Sequence, residues 1–229
     1  MRKKNLNFEK SQKLNLITKT DINSPISEQF KSIQTGIDFM GVDKPYKTIL
    51  ITSPESGSGK STISANLAVI YAKKGKKTLL IDGDMRKPSI HKIFNKNNSL
   101  GLSTALTEKV KLLDYCQSTD VKELFILTSG IIPPNPTELL SSKKFGEGIK
   151  ELKGYFDIII IDSPPVTIVS DTLILSAQSD GVLLVVRNKI TQKEACNQAI
   201  EQIKLVKKPI IGVVFNGETK QQNKIYYYK

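Results

Sequence analysis

The chain has 229 residues, 39% of them hydrophobic and 24% charged, the balance of a globular protein and not of a disordered one. Its formal net charge of +12 favours anionic partners such as nucleic acid, a membrane surface or phosphorylated ligands, and equally serves plain solubility. No apolar run approaches the roughly 18 residues that span a bilayer. No apolar stretch follows the basic N-terminus as in a secretory leader, and two distant cysteines, Cys116 and Cys196, read as reduced thiols.

Residues 1–23 are polar and basic and are expected to form an extended arm. Phe30, Ile33, Ile37 and Met40 then recur at steps of three and four, which predicts an amphipathic helix with Ser27 as N-cap and Glu28 in its first turn. Beyond it the chain alternates. Strands are predicted at 47–53, 77–82, 124–130, 156–162, 181–187 and 209–216. A helix over 60–75 shows a face of Ile63, Leu67 and Ile70 and stops at Gly75. Another starts near Pro136 and Thr137, and a third opens at a capping box of Thr191 and Glu194. Runs such as Ile158 to Ile161 suit strands covered on both faces. Strand and helix in alternation imply a single α/β domain over 24–216, a mostly parallel sheet with helices on both faces.

The stretch "SPESGSGKST" (53–62) follows a strand and opens a helix. A glycine-rich turn there lets backbone N–H groups wrap phosphate oxygens at the positive end of the helix. On this reading Ser56, Gly57, Ser58, Gly59, Lys60, Ser61 and Thr62 bind a nucleotide. Lys60 reaches the β- and γ-phosphates and the Ser61 hydroxyl ligates Mg²⁺. The strict pattern asks for glycine where this chain has Pro54.

Three aspartates end apolar strands. Asp162 closes "IIIID", the pattern that brings a carboxylate to Mg²⁺ in a P-loop enzyme. Asp82 and Asp84 close "LLIDGD" and should share an edge with Lys60 and Ser61, because ligands of an open parallel sheet gather beyond the carboxyl ends of its strands. Asp162 and one of the pair are expected to hold Mg²⁺ or its waters. The other, for which Asp82 is favoured, accepts or positions the proton of the attacking hydroxyl. Arg86 either pairs with Asp84 or faces phosphate. Asn216 either reads the adenine edge or simply forms an Asn-Gly turn. His91 has no metal-ligand company and reads as ordinary.

"SPESGSGKST", "LLIDGDMRKP" (79–88) and "IIIIDSPP" (158–165) together resemble, in order and spacing, the three nucleotide boxes of the bacterial tyrosine kinases of capsule and exopolysaccharide export (BY-kinases). "SGIIPPNPTELLSS" is similar to that family's proline-rich segment. The resemblance runs from about Ser24 to the end of the chain. It implies a P-loop NTPase-like domain that uses ATP and Mg²⁺ to phosphorylate its own tyrosine cluster. It further implies a cytoplasmic protein held at the inner face of the membrane by a separate membrane-bound activator, the Gram-positive split arrangement. A cognate tyrosine phosphatase is expected and nucleic acid is not. Residues 217–229 read as a mobile tail carrying the acceptors Tyr226, Tyr227 and Tyr228. They follow a strand that ends at the catalytic edge, and the 12 residues from Gly217 to Tyr228 reach at most roughly 40 Å. The family's ring-forming helix carries E-x-x-R-x-x-R. Glu28, Lys31 and Gln34 stand at those positions, so the ring contacts do not carry over at Lys31 and Gln34 and a homo-oligomer is left open.

Two rival readings share the nucleotide loop. A partitioning or positioning ATPase of the same superfamily would carry a "KGGxGK" loop whose first lysine crosses a dimer interface, and this chain has Glu55 there. A non-enzymatic nucleotide-binding regulator would have lost a carboxylate, and all three remain.

Overall fold

The computed structural model describes residues 16–108 and 110–217. Among them seven strands form one sheet: β1 Thr48–Thr52, β2 Thr78–Asp82, β3 Gln117–Ser118, β4 Leu124–Leu127, β5 Ile158–Asp162, β6 Gly181–Arg187 and β7 Ile210–Asn216. The order across the sheet is β3-β4-β2-β5-β1-β6-β7. Every neighbouring pair is parallel except β3 with β4. The two-residue β3 was not predicted, being too short to show an alternation. The insertion of β5 between β1 and β2 sets the carboxyl ends of these three strands side by side.

The helices are α1 Ile17–Thr20, α2 Pro25–Met40, α3 Lys60–Lys73, α4 Ile90–Ile93, α5 Leu102–Glu108, α6 Pro136–Leu140, α7 Lys143–Tyr155, α8 Asp171–Ala177 and α9 Lys193–Leu205. Strand residues alternate between two cores. Ile49, Ile51, Leu80 and Ile160 pack with α1, α2 and α3 on one face. Leu50, Leu79, Ile81, Ile159 and Ile161 pack with α7, α8 and α9 on the other. Period-two side chains buried on both sides need this double cover.

Several local expectations change. The arm does not extend to residue 23, because the chain is packed from Leu16 onward. Thr18 is fully buried. Its backbone N–H and its hydroxyl both donate to Asn66 Oδ1, at 3.0 and 2.9 Å, while Lys73 Nζ donates to the Thr18 carbonyl at 2.8 Å. With α1 and α2 lying over it and the sheet beneath, α3 is buried around its circumference, from Ile63 to Ala72. Its small residues Ala65, Ala68 and Ala72 let both layers approach, so one face of Ile63, Leu67 and Ile70 understates its burial.

The N-cap of α2 is Ser24, whose Oγ accepts from the Ser27 amide, with Pro25 in the first turn. Ser27 is instead buried and donates to the Asp21 carbonyl. Met40 ends the predicted stripe but is 57% exposed. The helix predicted from Pro136 breaks at Ser141–Ser142, where Ser142 caps α7. The Thr191–Glu194 capping box does not form. Gln192 is the N-cap of α9, and Thr191 Oγ1 accepts from the Arg187 amide. The helix end at Gly75 holds, with φ of +84° just past the Lys74 cap. Residues 218–229, including the three tail tyrosines, lie outside the described residues.

Candidate active site

The 53–62 loop runs from the end of β1 to the first residue of α3. Gly59, the N-cap of α3, has φ of +89°. A Cβ there would stand 2.2 Å from Asn216 Nδ2, so both conformation and space require glycine. The loop's carbonyls are taken by side chains from around the edge. Ser53 and Ser58 hydroxyls donate to the Glu55 carbonyl. Thr167 donates to that of Pro54, Arg187 to that of Gly57 and Asn216 to that of Ser58. With its carbonyls occupied, what the loop offers a ligand is its N–H groups. Thr167 and Arg187 carried no sequence signal as supports. Asn216 was singled out, and its amide braces the loop from the end of β7.

Asp82 and Asp162 are direct register partners on β2 and β5, and both are fully buried. Asp82 Oδ2 accepts from the amides of Ser89 and Ile90, each at 2.9 Å. Asp162 Oδ1 accepts from Ser64 Oγ at 3.0 Å. Among the described residues, Asp82 Oδ1 and Asp162 Oδ2 are buried with no hydrogen-bond partner. Such atoms are costly unless function fills them. Burial first, and then the charge of Asp162, push the Asp82 carboxyl up to about 8 against the pull of the Ile90 and Ser89 amides. Burial pushes Asp162 up to about 6, while Lys60 and the Ser61 and Ser64 hydroxyls hold it down. Lys60 is itself only 8% exposed, so a buried ammonium and two buried carboxylates share this corner.

Gly83 brings the acidic box against the neighbouring strand. Its amide donates to the Asp162 carbonyl at 2.8 Å, and a Cβ would meet that same oxygen at 2.8 Å and Leu175 Cδ1 at 2.9 Å. Asp84 is half-buried and accepts from the Lys87 amide. Arg86 pairs with neither Asp84 nor an open phosphate position. Its Nε donates to Asp171 Oδ2 at 2.8 Å, and its Nη2 donates to Asp171 Oδ1 at 3.3 Å and to Thr137 Oγ1 at 3.1 Å. Thr137 in turn donates to Asp171 Oδ1. Asp171 is buried, and its interaction raises the guanidinium pKa. This junction ties the acidic box to the proline-rich segment and to α8. Sequence reasoning missed Asp171, because a lone Asp at a helix start looks like any other.

Among the described residues no three His, Cys, Asp or Glu side chains converge to hold a metal unaided. The unpaired Asp162 Oδ2 and the Ser61 hydroxyl fit Mg²⁺, an ion that takes one or two carboxylates and completes its shell with phosphate oxygens and water, and the unpaired Asp82 Oδ1 stays free on the neighbouring strand. On α2, Lys31 pairs with Glu28 of its own helix, and the buried Gln34 donates to Asp38. The positions of the ring motif thus make contacts within the chain.

A profile described as AAA domain matches residues 46–213. Tyrosine-protein kinase YwqD of Bacillus subtilis is 42% identical over 93% of this chain and 90% of its own. The crystal structure of the chimerical protein CapA2B2 superposes with a TM-score of 0.86 at 42% identity, covering 90% of this chain and 91% of that one. The septum site-determining protein MinD of Pyrococcus horikoshii, complexed with Mg-ADP, is more distant, with a TM-score of 0.65 and 26% identity over 74% of this chain and 69% of the other. A nucleotide loop between β1 and α3, two unsatisfied carboxylates beside it and these likenesses lead to one conclusion: the chain is an ATP-binding protein-tyrosine kinase, belonging to the bacterial BY-kinases of capsule and exopolysaccharide biosynthesis, Gram-positive split type.

Proposed function

We infer that this kinase transfers the γ-phosphoryl group of ATP to its own Tyr226, Tyr227 and Tyr228, and that a membrane-bound activator governs the transfer. The observation that supports it best is the pair of buried carboxylates on neighbouring strands, Asp82 and Asp162, each with one free oxygen, Asp162 interacting with Lys60 and Ser61. The loop N–H groups and Lys60 hold the triphosphate. Ser61 and Asp162 Oδ2 would hold Mg²⁺, which supplies charge neutralisation between the phosphates. Asp82 Oδ1 accepts the phenol proton as the new oxygen–phosphorus bond forms and the bond to ADP breaks. The Ser89 and Ile90 amides hold Asp82 Oδ2 and leave Oδ1 free for this role. Asp84, two residues on, would help hold that ion through its waters.

Membership of the family supports the setting we infer: regulation of capsule or exopolysaccharide synthesis and export, a location at the inner face of the membrane through the activator, and a phosphatase that reverses the modification. Among the described residues no helix is long and apolar enough to cross a membrane. The test uses γ-labelled ATP. Label is expected to stay on the protein, to vanish in Lys60→Met and to vanish when the three tail tyrosines become Phe while ATP binding persists. Label released only as free phosphate would favour the MinD-like ATPase reading, and a Phe-tailed chain that labels as well as the native one would overturn the acceptor assignment.

A further inference from the structure

The six mutually parallel strands all enter the sheet at the edge opposite the nucleotide loop, so the connections leading into them share one face. That amino edge is rich in lysine. Lys44 precedes β1, Lys76 precedes β2, Lys122 precedes β4, and Lys207 and Lys208 precede β7. Lys208 is half-buried and the other four are exposed. Among the described residues none of these five forms an ion pair, whereas Lys19, Lys74, Lys153 and Lys204 do.

The acids of the same connections are turned to other partners. Asp157 Oδ2 accepts from the Lys77 amide at 2.8 Å. Asp180 Oδ2 accepts from the amides of Lys47 and Thr48 at 3.0 and 2.8 Å, and its Oδ1 accepts from Lys153 Nζ at 2.8 Å. Asp120 pairs with Lys19. Asp43 and Glu123 are the open carboxylates left in these connections among the described residues. Large apolar side chains stand among the lysines. Leu205 ends α9 and is 74% exposed, Val42 precedes β1 and is 70% exposed, and Tyr155 ends α7 and is 45% exposed. Solubility accounts for exposed lysines but not for exposed aliphatic side chains gathered with them on one face.

We propose that the amino edge docks on an anionic phospholipid surface, a direct contact that adds to the one made through the activator. The lysines meet the headgroups by charge complementarity, and Leu205, Val42 and Tyr155 enter the boundary between headgroups and acyl chains. From β4 to β7 the strands lie side by side at about 4.8 Å each, so the face is roughly 24 Å wide and several lysines engage together. Nucleic acid would use the same lysines through its phosphates, but it has no use for the aliphatic side chains. Docked in this way, the chain holds its phosphate loop and acidic box away from the lipid. The five residues of β2 and of β5 set the two edges roughly 16 Å apart, about two Debye lengths at physiological salt. Exposed charges at that separation are largely screened from one another, so the docking lysines can be changed without disturbing the grip on ATP.

The experiment measures co-sedimentation of the full chain, without its activator, with vesicles of equal parts phosphatidylglycerol and phosphatidylcholine and with vesicles of phosphatidylcholine alone. The native chain is expected to bind the first and not the second. Lys44→Gln, Lys76→Gln, Lys207→Gln and Lys208→Gln together should weaken binding at least about tenfold, each lysine at an anionic leaflet being worth about fivefold at most. ATP affinity should not change. A matched variant removes the same charge from the carboxyl side, after β2 and β6, by Lys87→Gln, Lys92→Gln, Lys189→Gln and Lys193→Gln, and should keep most of the vesicle binding. Leu205→Ser with Val42→Ser should weaken vesicle binding several-fold while binding of duplex DNA, the polyanion control, stays as it was. A native chain that ignores the phosphatidylglycerol vesicles would overturn the proposal, as would an amino-edge variant that binds them like the native chain. Equal loss in the two four-lysine variants would also sink it, reducing the effect to net charge. Lost ATP affinity in the amino-edge variant would count against it too, marking damage beyond the docking face. Duplex DNA bound more tightly than vesicles, with no effect of Leu205 and Val42, would make the edge a nucleic-acid surface instead.

Discussion

The two halves of the catalytic edge are held together by different chemistry. On the nucleotide side the loop is fixed through its own backbone, the Glu55 carbonyl taken by Ser53 and Ser58 and those of Pro54, Gly57 and Ser58 by Thr167, Arg187 and Asn216. On the side where the acceptor is proposed to enter, the fixing is between side chains: one buried carboxylate, Asp171, gathers Arg86 and Thr137. The first arrangement leaves donors for an anion, and losing any one support leaves the others in place. The second depends on a single charged hub. The difference teaches that nucleotide binding should be robust to substitution while acceptor positioning should be fragile.

The sharpest way to test the contrast is at the carboxylate between the halves. Asp82→Asn is expected to lower phosphoryl transfer at least about 100-fold, the typical contribution of a placed base, while raising thermal stability at pH 8. The sign follows from linkage. Asp82 and Asp162 are lifted from 3.8 to about 8 and about 6, so the folded state binds more protons than the unfolded one within that window. Their contribution to stability is fully present below about pH 4 and is lost as pH rises through about 6 and then about 8. A melting series from pH 4 to pH 9 should show that loss in the ligand-free native chain and a smaller one in Asp82→Asn. A variant no more stable than the native chain at pH 8 would contradict the buried-charge account.

A smaller effect is expected at the hub. Asp171→Asn should cost about 2 kcal/mol of stability, kept low because Arg86 is 43% exposed and can turn to water. It should also raise the KM for a tyrosine acceptor several-fold with ATP affinity unchanged. A matching loss of ATP affinity would show that the two halves are not separately held. The smallest effect belongs to the loop support. Asn216→Ala removes one hydrogen bond worth about 1 kcal/mol, and a nucleotide titration should show ATP affinity down by less than about tenfold. A larger loss would mean that Asn216 touches the nucleotide itself, the adenine-reading role its position first suggested.

This contrast also explains what could be read in advance. The placement of the 53–62 loop between a strand and a helix, and of Asp82 and Asp162 at strand ends, is legible because each follows a run of apolar strand residues and because the glycines at 57 and 59 mark a tight turn. The parallel α/β sheet followed from Ile158 to Ile161 and its counterparts. The Arg86–Asp171–Thr137 junction was not legible, since its members are 34 to 85 positions apart and none belongs to a periodic pattern. Thr191 and Glu194 had the spacing of a capping box, yet Thr191 bonds backward to Arg187 and Gln192 caps the helix. Local spacing cannot reveal a competing partner. The N-terminal boundary failed similarly: Leu16 and Thr18 sit in a polar stretch whose partner, Asn66, is 48 residues beyond Thr18.

That last contact has a mechanical consequence. Thr18 grips Asn66 within the helix whose first turn presents Lys60 and Ser61. Any pull on the chain ahead of Leu16 is therefore borne by the spine of the phosphate loop, and a tether attached there would be coupled in series with the grip on ATP.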